Sequence, residues 1–273
     1  MGADLDLNRI TIVIKGAGDL ASGVASRLYG AGFPVILTEL AQPTVIRRKV
    51  AFAEAVYQGV VQIEGITCWQ ACKNNFQQVL DQGEIPLLID PEAEIVNQIK
   101  PQVVIDAILA KKNMGTKSSI APVVIALGPG FTAPEDAHAV IETKRGHYLG
   151  RVLYEGSALP NTGIPGDIIG KTEERVLRAP AQGIFKGIVD IGDMVKKGQI
   201  IGEVGNMPVT SSLDGVVRGL LKSGLKVHPG MKIGDVDPRG EREYCFTISD
   251  KARALGGAVL EAMLNLLNKK ALI

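Results

Sequence analysis

Short apolar runs punctuate the first half of the chain. They are "ITIVI" at 10–14, "PVILTEL" with its strand ending at Glu39, "IPLLI" at 85–89, "QVVIDAI" at 102–108 and "PVVIAL" at 122–127. Each is continuous and rich in β-branched residues, the pattern of a strand buried on both faces of a parallel sheet. Polar stretches with helical spacing separate them, the first over about 19–31. This repeated order predicts a Rossmann-like, doubly wound parallel sheet over residues 1–170. "VIETKRGHYLGRVLYEG" alternates on both sides of an Arg-Gly pair and reads as a hairpin with a tight turn. In "TCWQACKNNFQQVL", Cys68 and Cys72 are four apart, predicting one helical face and a small apolar patch beside Trp69. "SDKARALGGAVLEAMLNLLNKK" closes the chain as an amphipathic helix with Ser249 as N-cap. Its stripe of Ala252, Leu255, Val259, Ala262, Met263, Leu266 and Leu267 needs a partner, so residues 241–273 are expected to pack back on the first domain.

The pattern changes in the second half. Residues 181–204 match residues 213–236 without a gap, placing Gly183 on Gly215, Gly187 on Gly219, Gly192 on Gly224, Gly198 on Gly230 and Gly202 on Gly234. Glycines recur where turns fall between short strands, so two small β-units are expected to pack about a pseudo-twofold axis. The stretch 177–240 also resembles biotinyl- and lipoyl-type domains, which implies a small all-β barrel-sandwich hybrid over 171–240. A carrier of that type presents a lysine on the hairpin joining its halves. Here that hairpin, "GNMPVTSS" at 205–212, has none. No biotin or lipoate attachment is expected.

Composition narrows the partners. With 46% hydrophobic and 22% charged residues the chain is globular, and its net charge of +1 gives no electrostatic reason to expect nucleic acid or a membrane surface. No apolar run reaches membrane-spanning length, and the acidic start lacks a signal core, so a cytoplasmic location is expected. Three cysteines suit a reducing compartment. With no His or third Cys near Cys68 and Cys72, no metal site is expected.

The chemistry concentrates at the strand ends. "GAGDLA" sets Gly16, Gly18 and Ala21 at the G-x-G-x-x-A spacing of a dinucleotide-binding turn. The following helix would aim free N–H groups at an anion, and Glu39 stands at the offset of a ribose-binding carboxylate. Lys15 either reaches a phosphate or ends its strand in solvent. Asp19 either caps the helix or holds a bridging cation. Further on, "DAILAKKNMGT" offers Lys111 and Asn113, and "LGPGFTAPED" offers Gly128 and Gly130 in a rigid loop that exposes amides. Glu142, Arg145, His147 and Arg151 are either an anion site, with Arg145 as ligand and His147 as candidate acid/base, or a surface salt-bridge cluster.

Taken together, "KGAGDLASG", "GPGF", "IETKRGH", "NTGIPG" and "IGDVDPRG" resemble the YqeB family, accessory proteins of the selenium-dependent molybdenum hydroxylase system. The resemblance implies a maturation factor for xanthine dehydrogenase-type client enzymes that handles a cofactor rather than turning over a substrate. A nucleotide-containing molybdenum cofactor (molybdopterin dinucleotide) or a selenium intermediate would be its ligand. It supplies no catalytic residues. Two alternatives stay open: an NAD(P)-dependent oxidoreductase, and an interaction scaffold that docks the hydroxylase. Self-association into a homo-oligomer also stays open.

Overall fold

The computed structural model of the protein describes residues 7–273. The chain divides into two units, one formed by the residues up to Ala41 with Phe52–Asn161 and Ile248–Ile273, the other by Gln42–Ala51 and Thr162–Thr247.

In the first unit the strands are β1 (Ile12–Lys15), β2 (Val35–Glu39), β3 (Val60–Ile63), β4 (Ile66–Ala71), β5 (Ile85–Ile89), β6 (Val103–Asp106), β7 (Val123–Leu127), β8 (Thr132–Ala133), β9 (Ala139–Ile141), β10 (Val152–Leu153) and β11 (Gly156–Ser157). Nine of them form one sheet in the order β10-β9-β7-β6-β1-β2-β5-β4-β3, while β8 and β11 pair separately. The neighbours from β9 to β4 run parallel. At the two edges β10 and β3 run antiparallel. The helices are α1 (Asp19–Gly30), α2 (Ala55–Gln58), α3 (Phe76–Asp81), α4 (Ile95–Ile99) and α5 (Asp250–Lys269).

This corrects the expected doubly wound parallel sheet. The sheet is mixed, with antiparallel strands at both edges, and the crossovers from β6 to β7 and from β7 to β9 carry no α-helix. Between β6 and β7 the chain makes only a 3-10 turn at Ser118–Ile120, because "AKKNMGTKSS" carries no apolar helical stripe. Between β2 and β5 it inserts the β3–β4 hairpin. Cys68 belongs to that hairpin and not to a helix: it is buried on β4, while Trp69 and Gln70 are exposed and Cys72 lies beyond the strand. The expected tight Arg-Gly turn is also absent. Chain from Glu142 to Arg151 bulges out between β9 and β10, held by Glu142 N–H to Arg151 O at 2.9 Å and Gly150 N–H to Glu142 O at 2.9 Å.

The second unit contains β12 (Val176–Arg178), β13 (Gly183–Gly187), β14 (Met194–Val195), β15 (Ile200–Val204), β16 (Met207–Thr210), β17 (Gly215–Leu220), β18 (Lys226–Val227) and β19 (Lys232–Asp237). They form two four-stranded sheets, β12-β19-β17-β14 and β16-β15-β13-β18. The pairings β13–β15 and β13–β18 have counterparts in β17–β19 and β17–β14. The expected biotinyl/lipoyl-like hybrid is replaced by this pair of antiparallel sheets. They take in β12 and β16 as additional edges, and also an earlier segment: Ile46 accepts from Leu220 N–H at 2.8 Å, and Gly219 lies flush against its side chain. A core of Phe185, Ile201, Val217, Ile233 and their neighbours fills the unit.

Candidate functional site

Strands β1, β2, β5 and β6 end at one edge of the large sheet, where the turn after β1 packs closely on the chain after β6. Gly16 has φ +93°, and a Cβ at this position would stand 3.0 Å from Ala107 O. Only glycine suits both constraints. Gly18 precedes α1 in an extended conformation with no side-chain cap, so Asp19 is the first helical residue and not the cap. Its carboxylate faces Lys251 of α5. Burial pushes the Lys251 ammonium below its usual range, helped by Arg145 and opposed by Asp19, Glu142 and Asp250. No sequence spacing links the last helix to the first turn.

Glu39 is fixed by the backbone around it. One carboxylate oxygen accepts from Ala17 N–H at 2.9 Å and the other from Leu40 N–H at 2.8 Å. Lys15 does not end its strand in solvent. It is buried, with Nζ 3.5 Å from Asp106 Oδ2 and donating to Thr116 Oγ1 at 2.6 Å. Thr116 Oγ1 donates in turn to Asp106 Oδ2 at 2.5 Å.

The chain after β6 loops across this edge. Asn113 holds it closed, donating to Thr116 O at 2.8 Å and Asp136 Oδ1 at 3.0 Å, and accepting from Gly115 and Thr116 N–H. Leu109 and Lys111 both adopt left-handed backbone, an arrangement that costs energy and clusters at functional loops. Gly130 fits against Lys112, where a Cβ would approach Lys112 Cα to 2.6 Å, and Gly128 fits against Thr143. Arg145 makes a two-pronged pair with Asp250, at 2.5 and 2.9 Å. His147 is exposed and stacks edge-on with Tyr148, while Arg151 lies over the same ring. Glu142 is buried and accepts from Lys144 and Leu159 N–H. Arg145 thus pairs with Asp250, His147 and Arg151 share the Tyr148 ring, and Glu142 holds backbone.

What the edge does enclose is a cleft of about 210 Å³ beside Gly16. Glu39, Asp90 and Glu92 give it three carboxylates, and Leu40, Ile108 and Met114 give it an apolar wall. Asp90 reaches it because its N–H donates to Glu39 O at 3.1 Å, a neighbour relation made by sheet order alone. Among the described residues no cluster of three or more His, Cys, Asp or Glu is arranged to hold a metal. Nor is any helix among them long and apolar enough to cross a membrane.

The fold and cleft define a mixed-sheet protein with a small acidic and apolar recess at the carboxyl ends of its parallel strands. No protein-family model matches the chain. Over 259 residues, 94% of its length, it is 53% identical to a protein of Escherichia coli strain K12 described as "Uncharacterized protein YqeB". The chain is a homologue of YqeB, and it spans about half, 48%, of that relative's length. Solved structures that align with it include an aspartoacylase family protein from Mesorhizobium loti (11% identity, 84% of this chain and 86% of that one, TM-score 0.27). A succinylglutamate desuccinylase/aspartoacylase from Rhodobacter sphaeroides aligns similarly (12%, 84% and 86%, TM-score 0.26). So does the ectoine utilization protein EutE from Ruegeria pomeroyi (11%, 84% and 85%, TM-score 0.26). These likenesses are too slight to carry an argument about activity. None of these descriptions names selenium, a molybdenum hydroxylase or a Rossmann domain.

Proposed function

We propose that the chain is an accessory factor that holds the nucleoside end of a nucleotide-containing cofactor during maturation of a client enzyme. The observation that carries this is the recess beside Gly16, with Glu39 oriented by two backbone N–H groups. Each carboxylate oxygen retains acceptor capacity, so the fixed Glu39 suits a pair of sugar hydroxyls. The wall of Leu40, Ile108 and Met114 suits a ring. At about 210 Å³ the recess is of a size to hold one nucleoside. The motif resemblance supplies the client class, a selenium-dependent molybdenum hydroxylase. No histidine lines the recess.

Two experiments test the two halves of the proposal. Calorimetry with nucleotides on the intact chain should show binding that Glu39→Gln weakens, and absence of binding would remove the ligand half. Deleting the gene in its host should abolish selenium-dependent hydroxylase activity while the hydroxylase polypeptide persists. Full activity in that strain would remove the client half.

A further inference from the structure

Resting on the nucleoside reading of the recess, we infer that it selects guanine. The side chains that line it contribute hydrogen-bond acceptors almost exclusively. Glu39, Asp90 and Glu92 are its charged groups, Thr38 adds a hydroxyl, and no Lys, Arg, His, Asn or Gln takes part. The three carboxylates are not equivalent. Glu39 is bonded to Ala17 and Leu40 N–H. Asp90 is committed to the start of α4, its two oxygens accepting from Glu94 N–H at 3.0 Å and Ile95 N–H at 2.9 Å. Glu92 is exposed and, among the described residues, has no hydrogen bond or ion pair. It is the carboxylate left to read a base.

A carboxylate only accepts, and it does so best from two adjacent donors. Guanine offers them side by side, as the ring N1–H and the exocyclic N2–H₂. Adenine and cytosine each place a lone-pair ring nitrogen next to the amino group, which would face the second oxygen. Uracil has one N–H flanked by two carbonyls. In a recess without a cationic or amide side chain to compensate, these mismatches leave acceptors facing acceptors, and guanine alone avoids them.

The test is competition binding of guanosine, adenosine, cytidine and uridine 5′-monophosphates to the full chain and to Glu92→Gln. The guanine nucleotide should bind roughly tenfold or more tighter than the other three, the scale of a charge-assisted hydrogen bond. Glu92→Gln should erase that preference without abolishing binding, because Glu92 is a surface residue that holds no part of the fold. Equal binding of all four nucleotides, a preference for another base, or a guanine preference that survives Glu92→Gln would overturn the inference and leave the nucleoside reading intact. Failure of all four to bind would overturn both.

Discussion

Burying Lys15 beside Asp106 removes two charges from water, and their contact with each other and with Thr116 offsets that penalty. Removing one partner leaves the other charge stranded. Lys15→Met is therefore expected to lower stability by about 3–5 kcal/mol. The double change Lys15→Met with Asp106→Leu should recover most of the loss. Urea titration of the three chains decides it, and equal stability of the single variant and the parent would show that the pair holds nothing. His138 yields a second residue-level expectation. Its Nδ1 accepts from Val124 N–H at 3.0 Å, so the folded state needs an unprotonated Nδ1. Burial, and then Lys270, hold this imidazole below its usual pKa of 6.5. A depressed folded pKa means the unfolded chain binds the proton more readily. The stabilisation is complete above about pH 6.5 and is lost as pH falls through the folded value. His138→Asn, whose Oδ1 can accept from the same N–H without titrating, should flatten this part of the melting-temperature profile between about pH 8 and pH 5. An unchanged profile would assign the acid sensitivity elsewhere. At this scale the recess residues with a local spacing signal were Gly16 and Glu39. Asp90 and Glu92 enter the recess only because β5 lies beside β2, a relation between residues far apart in sequence.

The last helix shows what an element-level pattern can and cannot carry. Its apolar stripe predicted α5 well, Ser249 Oγ accepts from Ala252 N–H at 3.2 Å, and the striped residues are buried. The stripe did not reveal how closely α5 crosses α1. A Cβ on Gly23 would stand 2.6 Å from Ala252 Cβ and 2.8 Å from Ala252 O, and one on Gly256 would stand 2.7 Å from Gly23 O. Gly23→Ala gains helix propensity but forces the two backbones apart. Overpacking should win, with a net loss of about 1–3 kcal/mol. Gly257→Ala has open space and should be neutral or slightly stabilising. Thermal melts of both variants give the comparison, and a stabilised Gly23→Ala would mean the crossing yields more easily than its geometry indicates. Shorter elements were harder to read. The four-residue spacing of Cys68 and Cys72 imitates a helix, yet "ITCWQA" forms a strand because β5 offers Cys68 a parallel partner at Ile85. Likewise "VIETKRGHYLGRVLYEG" does pair its two ends as antiparallel strands, but the expected tight turn gives way to a longer loop in which Glu142 turns inward to bond the backbone of Lys144 and Leu159. A buried carboxylate of that kind leaves no periodic trace.

At the scale of the whole molecule the two units have separate cores, one around Val13, Ile36, Val104 and Val124, the other around Phe185, Val217 and Ile233. The strand runs could be read individually, but the mixed sheet order and the recruitment of Gln42–Ala51 into the second unit could not, because both depend on contacts between distant segments. Separate cores give each unit its own cooperative transition. The chain has a single tryptophan, Trp69, on β4 of the first unit. Its indole donates to Glu84 within that unit, so its fluorescence reports the first core alone. Phe185 is fully buried in the second core. Phe185→Ala should destabilise that unit by about 3–5 kcal/mol. Followed by far-ultraviolet circular dichroism, denaturant unfolding of this variant should split, with the β-rich second unit melting early. The Trp69 fluorescence midpoint should stay where it is in the parent chain. A fluorescence midpoint that falls in step with the circular dichroism would show instead that the chain unfolds as one cooperative body.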